Sequence, residues 1–274
     1  MAKGGMNLMS LRSFGEKYPF LKANMIFWEK YIRARDQLFK LLPPMLDISK
    51  LEESDFLENM DQGKPFFAYD HVGISGENIN ILVNSFCRDM DIPQRILSFP
   101  ERMPLFEDLQ VTVDEDGFIL AEVHASIASF IESVIAGDEE AINWMEPYCP
   151  ICGAHAGLGL IDSSGKKNLV CSHCHSAWIY LRTSCGLCGN LEERGNTFLS
   201  TDEVPNWMIE VCDRCFHYLK VCDMRNSSPD IITYPLLYLT TWELDLVAKE
   251  QGYEPALFWV FERAGWLRSS GYTG

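Results

Sequence analysis

The chain has 274 residues, 47% of them hydrophobic, which is enough for one large domain or two to three small ones. Its 39 acidic and 23 basic residues give a formal net charge of −16, which argues against general binding to nucleic-acid phosphates. No stretch approaches the roughly eighteen apolar residues of a membrane helix, and residues 1–20 lack the basic-then-apolar order of a signal peptide. We therefore predict a cytoplasmic protein with no nucleic-acid partner and no stable membrane insertion.

The first part of the chain, residues 1–146, predicts a helical domain. Apolar residues recur at helical spacing in three stretches, 18–42, 77–90 and 117–136. Pro43 and Pro44 end the first stretch, Ser75 is a candidate N-cap for the second, and Gly137 stops the third. The expected buried residues are Leu21, Met25, Trp28, Ile32, Leu38 and Leu42; Ile79, Ile81, Leu82, Val83 and Phe86; and Leu120, Val123, Ile127, Phe130, Ile131 and Val134. Core packing explains these stripes, and none of them indicates catalysis.

Cysteines dominate the middle of the chain. Eight of the ten form four Cys-x-x-Cys pairs within 67 residues, namely Cys149, Cys152, Cys171, Cys174, Cys185, Cys188, Cys212 and Cys215. In a reducing compartment such clustering favours metal binding over disulfides. Cys87 and Cys222 fall outside the pattern and are predicted to be packing residues.

The sequences between the pairs indicate which pairs share an ion. Eighteen residues separate Cys152 from Cys171 and predict strands at 157–161 and 168–170 around the turn DSSGKK. The twenty-three residues between Cys188 and Cys212 repeat this plan, with strands at 196–200 and 207–211 around TDEVPN. Each hairpin brings the cysteine pair that follows it next to the pair that precedes it. The first four cysteines are therefore predicted to share one ion and the last four another.

The linker HSAWIYLRTS, between Cys174 and Cys185, contains no Gly, Pro, Asn or Asp. It predicts a strand over 178–183 that carries the chain roughly 20 Å onward and separates the two sites. An interleaved arrangement, in which alternate pairs share an ion, stays open as the alternative.

The metal sites themselves indicate a closed coordination shell. Each four-cysteine unit opens with Cys-x-x-Cys-Gly, CPICG at 149–153 and CGLCG at 185–189, where glycine lets the backbone turn so that amides point at sulfur. Both Zn²⁺ and Fe²⁺/Fe³⁺ accept four thiolates, so we predict two ions of either metal. Because no position is left open and no common catalytic motif occurs, we predict no catalytic residue and no enzyme.

Histidines offer an alternative set of ligands. Four of them lie close to the cysteine pairs, His155, His173, His175 and His217. One could replace a cysteine, although four complete pairs make this unnecessary. His71 and His124 lie elsewhere and are predicted to be surface or satisfied core residues.

The helical pattern returns after the cysteines, over 238–253, with Leu239, Trp242, Leu246 and Val247 on one side. The predicted class is therefore α+β. Its predicted parts are a helical N-terminal domain at 1–146, a first four-cysteine module at 147–183, a second at 184–226, and a C-terminal helical segment at 227–274.

The ordered motifs resemble the formate dehydrogenase accessory protein FdhE family. They are CPICG, then CSHC followed by Trp178 and Arg182, then CGLCG, and finally CDRCFHYLK at 212–220. LDL at 244–246 with EQGY at 250–253 looks like the family's last helix, and the first 145 residues are only loosely similar. The sequence departs from the family pattern at AHA (154–156), at His175 and at Pro235.

This resemblance implies tandem rubredoxin-like or zinc-ribbon modules in a cytoplasmic assembly chaperone. Such a protein would bind the catalytic subunit of formate dehydrogenase during maturation, with Trp178, Arg182, Tyr218 and Lys220 as candidate partner contacts. A rubredoxin-like iron redox or electron-transfer protein is the alternative. The acidic charge disfavours a third possibility, a zinc-ribbon nucleic-acid binder.

Overall fold

Helices precede and follow a mixed β-sheet, which confirms the α+β class. The structure is a computed structural model that describes residues 15–16, 18–46, 62–68, 73–97, 105–106, 114–135, 144–191, 196–225 and 240–256. His71, Gly137, Pro235, Leu239 and the side chain of Leu21 lie outside the described part.

The described residues of the N-terminal part form three α-helices, at the positions that the apolar stripes predict. They are α1 (Met25–Leu41), which follows a 3₁₀ turn at Pro19–Asn24, α2 (Gly76–Asp89) and α3 (Glu115–Ile135). The Ser75 hydroxyl accepts a hydrogen bond from the Asn78 amide at 3.1 Å, which confirms Ser75 as the N-cap of α2. The Asp114 carboxylate caps the N-terminus of α3 in the same way, accepting a hydrogen bond from the Gly117 amide at 2.9 Å.

Most of the predicted buried faces are buried. The residues that share the helical core are Leu38, Leu42, Ile79, Leu82, Val83, Phe86, Val123, Ile127, Phe130 and Ile131. The prediction is wrong for Ile81 and Val134, which are 43% and 40% exposed. Ile81 follows Ile79 by two residues, about 200° around the helix, and so points away from the face that Ile79, Leu82 and Phe86 share.

Helix α3 is more apolar than the sequence analysis allowed. An 18-residue window of it has a mean hydropathy of 1.6, so by length and composition it could cross a membrane, and it is the one described helix of which this is true. The expectation that no stretch approaches this threshold is therefore wrong. However, 56% of the window is buried, and its Ile119, Val123 and Ile127 belong to the core shared with α1 and α2. Such burial is typical of the central helix of a packed bundle.

The sheet is built from two copies of one three-stranded unit. The first copy contains β1 (Ala156–Ile161), β2 (Lys167–Cys171) and β3 (Ala177–Tyr180), and the second contains β4 (Asn196–Ser200), β5 (Trp207–Cys212) and β6 (His217–Asp223). Within each copy the neighbouring strands are antiparallel. Both predicted hairpins are therefore present, and the two copies fit tandem zinc-ribbon modules.

The two copies join edge to edge in one sheet with the order β3-β2-β1-β6-β5-β4. The joining strands β1 and β6 are parallel, with Gly159 opposite Val221. A Cβ atom on Gly159 would lie 3.0 Å from Val221 Cγ2, so glycine permits this close approach. A seventh strand, β7 (Glu254–Pro255), pairs with the start of β6. One sheet runs through both predicted modules, so they are joined and not separate in the structure. The division into four domains stays a prediction.

The linker between the copies is shorter as a strand than predicted. Strand β3 ends at Tyr180, and the Ser184 amide donates to the Leu181 carbonyl oxygen at 3.3 Å in a turn. The chain then folds back against the sheet, where a Cβ atom on Gly186 would lie 2.9 Å from Leu169 Cδ2 and 3.0 Å from Leu219 Cδ2. The chain thus turns where this segment packs on the sheet, although the linker contains no Gly, Pro, Asn or Asp.

The C-terminal helix α4 (Trp242–Glu250) buries a different face from the one predicted, although Val247 of the predicted side does pack against the core. Trp242 and Leu246 are 49% and 51% exposed, whereas Leu244 and Ala248 are buried with β5 and β6 residues. Both pairs have helical i, i+4 spacing, so periodicity alone could not choose between them.

Candidate metal centres

The first centre contains Cys149, Cys152, Cys171 and Cys174, all fully buried. Cys149 Sγ lies 3.6 Å from Cys174 Sγ, and Cys152 Sγ lies 3.6 Å from both Cys171 Sγ and Cys174 Sγ. Four sulfurs bound to one tetrahedral ion at about 2.3 Å lie about 3.8 Å from one another. The separation thus suits ligands of one ion and is far longer than a disulfide bond of about 2.05 Å.

The second centre contains Cys185, Cys188, Cys212 and Cys215. Cys185 Sγ lies 3.9 Å from Cys215 Sγ, and Cys188 Sγ lies 3.8 Å from Cys212 Sγ. Cys185 and Cys212 are buried, but Cys188 and Cys215 are only half-buried. The structure therefore groups the cysteines sequentially, not in the interleaved arrangement, and either group could hold a metal ion.

All four Cys-x-x-Cys turns share one backbone conformation. The residue after the second cysteine has a left-handed conformation in each, with φ of 80° at Gly153, 65° at His175, 71° at Gly189 and 58° at Phe216. Sequence reasoning anticipated this only for the two glycines. The signal that it missed is the equivalence of the four turns, which places His175 and Phe216 at the glycine position.

The turns also direct amides at sulfur. The amides of Ile151 and His173 lie 3.4 Å from Cys149 Sγ and Cys171 Sγ, and the Leu187 amide lies 3.4 Å from Cys185 Sγ. Such N–H···S contacts favour the thiolate and fix the orientation of the ligand.

Burial opposes the ionisation of several of these thiols. Desolvation raises the pKa of Cys149 and Cys152 well above the ordinary thiol value. At the second centre, desolvation and then the charge of Cys185 raise the pKa of Cys188 to about 12. A divalent cation would supply the missing positive charge, so its binding would release protons from the cysteines.

The helical part of the chain encloses the first centre. The carbonyl oxygens of Pro150, Ile151 and Cys152 accept hydrogen bonds from the amides of Phe66, Phe67 and Phe106 at 2.7, 2.9 and 2.8 Å. A Cβ atom on Gly153 would lie 3.3 Å from Leu105 Cδ2 and 3.4 Å from Pro65 Cγ, so the next residue is also covered.

Two histidines link helix α3 to the first centre. His124 Nδ1 lies 2.8 Å from His173 Nε2, and His173 sits between Cys171 and Cys174. Desolvation, followed by the charge of His124, holds the pKa of His173 well below its usual range, so one neutral ring donates to the other. These two histidines therefore serve as a connection and not as ligands. Sequence reasoning predicted His124 to be a surface or satisfied core residue and could not identify its partner.

A buried ion pair holds the first turn of the second centre. Lys167 Nζ donates to the Ser184 carbonyl oxygen at 2.9 Å, and Glu210 Oε1 accepts from the Gly186 amide at 3.2 Å. Lys167 Nζ and Glu210 Oε2 are themselves 2.5 Å apart. Cys185 is therefore held on both sides by a pair that the sequence analysis missed.

Three of the four candidate partner contacts are buried. Trp178, Tyr218 and Lys220 are 5%, 1% and 0% exposed, so the prediction that they touch a partner directly does not fit the structure. Trp178 Nε1 donates to the Glu146 carbonyl oxygen at 3.2 Å. The Tyr218 hydroxyl and Lys220 Nζ bind the Asp245 carboxylate of α4 at 2.5 and 2.9 Å. Arg182 is exposed, and its role as a partner contact stays a prediction.

Comparison with known proteins gives two kinds of likeness, although no protein-family model matches the chain. An FdhE homolog from Aquifex aeolicus is 31% identical over 140 residues, which cover 50% of this chain and 48% of that protein. An FdhE homolog from Shewanella oneidensis is 37% identical over 83 residues, or 29% of this chain and 27% of that protein. The matched part thus spans about half the length of the first relative and less of the second.

The crystal structure of the FdhE protein from Pseudomonas aeruginosa has the same fold. It superimposes with a TM-score of 0.59 and 18% sequence identity, covering 90% of this chain and 91% of that one. Sequence similarity to the FdhE homologs and this shared fold both point to the FdhE family, as the cysteine motifs indicated.

Proposed function

We propose that this protein is a non-enzymatic accessory protein that assists the maturation of formate dehydrogenase in the cytoplasm. It binds the catalytic subunit of that enzyme as an assembly chaperone, and each centre holds one Zn²⁺ or iron ion. The observation that carries this proposal is the pair of four-cysteine clusters within a fold that matches the FdhE crystal structure over nine-tenths of the chain.

The donor set supports a non-catalytic role for the ions. Four thiolates fill the tetrahedral shell of Zn²⁺ or Fe²⁺, so no position remains for a substrate or an attacking water. The bound ion would supply a fixed junction between two turns and a hairpin. A unit of three short strands has a small core, and such a junction adds folding free energy that the core lacks.

Metal content tests the metal part of the proposal. Protein purified without oxygen is expected to contain two ions per chain by elemental analysis. A visible spectrum then separates zinc from iron, because only iron gives thiolate-to-metal absorption. The redox alternative needs iron, so a colourless zinc protein that still supports maturation would contradict that alternative and leave the chaperone proposal intact.

Capture of the catalytic subunit of formate dehydrogenase tests the partner. The intact, metal-loaded protein is expected to retain that subunit, and Arg182→Ala is expected to weaken retention because Arg182 is an exposed cation beside the first unit. Arg88→Ala is the matched control, since Arg88 is also exposed but lies on α2. Failure of the intact protein to capture the subunit would contradict the proposed partner without affecting the metal sites.

A further inference from the structure

We propose that the two centres have different functions: the first is a permanent structural centre, and the second exchanges its ion with metal-binding molecules in solution. The exchanging centre would accept or release a thiophilic divalent cation such as Zn²⁺ or Fe²⁺ while the fold stays intact. This inference rests on the proposed metal binding and does not depend on the proposed partner.

Enclosure makes the first centre unable to exchange without opening the protein. All four of its cysteines are 0% exposed. The three carbonyl oxygens of its first turn are bonded to the amides of Phe66, Phe67 and Phe106, and its second turn is bonded through His173 to His124 on α3. An incoming ligand therefore reaches these sulfurs only when the helical part separates from the sheet, a rare opening that breaks many contacts together.

The second centre is anchored on one side and accessible on the other. Cys185 and Cys212 are 1% and 0% exposed, and the Lys167–Glu210 pair fixes the turn that begins at Cys185. Cys188 and Cys215 are half-buried. Half of the coordination shell can therefore remain in place while the other half meets solvent.

The residues around the accessible side leave room for an approaching ligand. Asp213 and Arg214, between Cys212 and Cys215, are both exposed. Phe216 directly follows Cys215 and is 61% exposed, and Leu191, three residues after Cys188, is 62% exposed. A small thiol or an aromatic nitrogen chelator can thus approach the Cys188 and Cys215 sulfurs from solution.

The exchange is a ligand substitution without electron transfer. A sulfur or nitrogen donor of the incoming molecule forms a bond to the ion as the Cys188 or Cys215 sulfur–metal bond breaks. The freed thiolate takes a proton from water or buffer. Repetition of this step at Cys185 and Cys212 transfers the ion, still divalent, to the incoming molecule.

Release kinetics test the inference on the whole protein. Protein shown by elemental analysis to carry two Zn²⁺ per chain is mixed with excess 4-(2-pyridylazo)resorcinol, which reports free Zn²⁺ by its colour. One ion is expected to leave about tenfold faster, or more, than the other. Cys215→Ser is expected to abolish the fast phase and keep the slow one. Cys222→Ala is the matched control, because Cys222 is a buried cysteine outside both centres and its loss should leave two phases.

Alkylation of the unmodified protein assigns the phases even if a variant does not fold. After the fast ion has left, iodoacetamide and peptide mass spectrometry are expected to find label on Cys188 and Cys215 before any label on the first centre. Release of both ions at one rate, or first labelling at Cys149, Cys152, Cys171 or Cys174, would overturn this inference alone. Fewer than two ions per chain at the outset would overturn both this inference and the proposed metal binding.

Discussion

Lys167 Nζ lies 2.5 Å from Glu210 Oε2, and each side chain is only 1% exposed. Lys167 belongs to β2 of the first unit and Glu210 to β5 of the second, and β1 and β6 lie between these strands in the sheet. The pair also bonds the backbone on both sides of Cys185. The second centre therefore depends on a side chain from the unit that forms the first.

Breaking this pair is expected to destabilise the protein strongly. Lys167→Met leaves the Glu210 carboxylate buried without its cation, which should lower the free energy of unfolding by about 3–5 kcal/mol. The double variant Lys167→Met, Glu210→Leu should lose less than this, because it removes both charges. Guanidinium denaturation at saturating Zn²⁺ gives the values. Additive losses in the double variant would contradict a direct pair, and Lys166→Met, at an exposed neighbour, should change stability by less than about 0.5 kcal/mol.

The cysteine grouping predicts independent loss of ions. Cys149→Ser should reduce the zinc content from two ions per chain to one and leave the second centre occupied, because none of its four cysteines is altered. Cys185→Ser should have the reciprocal effect. Elemental analysis gives the stoichiometry, and alkylation shows which thiols become reactive. If Cys149→Ser instead exposed Cys185 and Cys188 and left Cys171 and Cys174 protected, that labelling pattern would favour the interleaved arrangement.

Replacement of Phe216 by glycine is expected to stabilise the protein. Phe216 has φ of 58°, a conformation that costs a non-glycine residue about 1 kcal/mol, and its side chain is 61% exposed and so contributes little packing. Thermal denaturation should therefore show a higher Tm for Phe216→Gly. Phe198→Gly is the matched control in strand β4, where glycine should lower the Tm because the backbone is extended. A lower Tm for Phe216→Gly would show that the Phe216 side chain makes contacts that outweigh the strain.

Removal of the histidine link is expected to loosen the helical part around the first centre only. His124→Ala deprives the half-buried His173 ring of its 2.8 Å partner, which should cost about 1–3 kcal/mol. Hydrogen exchange should accelerate at the amides of Phe66 and Phe67, which bond to the first turn, and stay unchanged at the Leu187 amide. Equal acceleration at both centres would mean that His124 supports the whole fold and not this junction.

Metal affinity is expected to fall as the pH falls. Burial raises the pKa of Cys149 and Cys152, so without metal both thiols carry protons at neutral pH and must release them when an ion binds. Binding is therefore favoured at high pH and opposed at low pH. Two protons per ion correspond to a change of about a hundredfold in affinity for each pH unit. Competition with a chelator of known affinity between pH 6 and 8 gives the slope, and an affinity independent of pH would show that these thiols are ionised before metal binds.

Features with a local cause could be predicted from the sequence. The turn DSSGKK forms because Asp162 Oδ1 accepts from the amides of Ser164 and Lys166 at 2.8 and 3.0 Å, and Gly165 takes φ of 82°. Local sequence patterns likewise predicted the N-cap at Ser75 and the sequential grouping of the cysteines. Each depends on residues close together in the chain.

Features that depend on distant contacts escaped prediction. Helix α4 offers two stripes, and contacts with the sheet select between them: Asp245 binds the buried Tyr218 and Lys220, and Leu244 packs in the apolar cluster beside them. A lysine usually lies at the surface, so the burial of Lys167 and Lys220 could not be foreseen without their acidic partners. The pairing of β1 with β6 joins residues that are about sixty positions apart, so neither hairpin sequence predicts it by itself.

The parallel contact between β1 and β6 has a consequence for biosynthesis. Among the described strands β1 leaves the ribosome first, and the neighbour that covers its free edge, β6, is the last strand of the second unit. During translation the first unit can bind its ion and close its hairpin, but its edge stays open to other strands until residue 223 has emerged. We therefore expect ribosome-bound chains that end before β6 to associate with one another more readily than the finished protein, even with metal in the first centre.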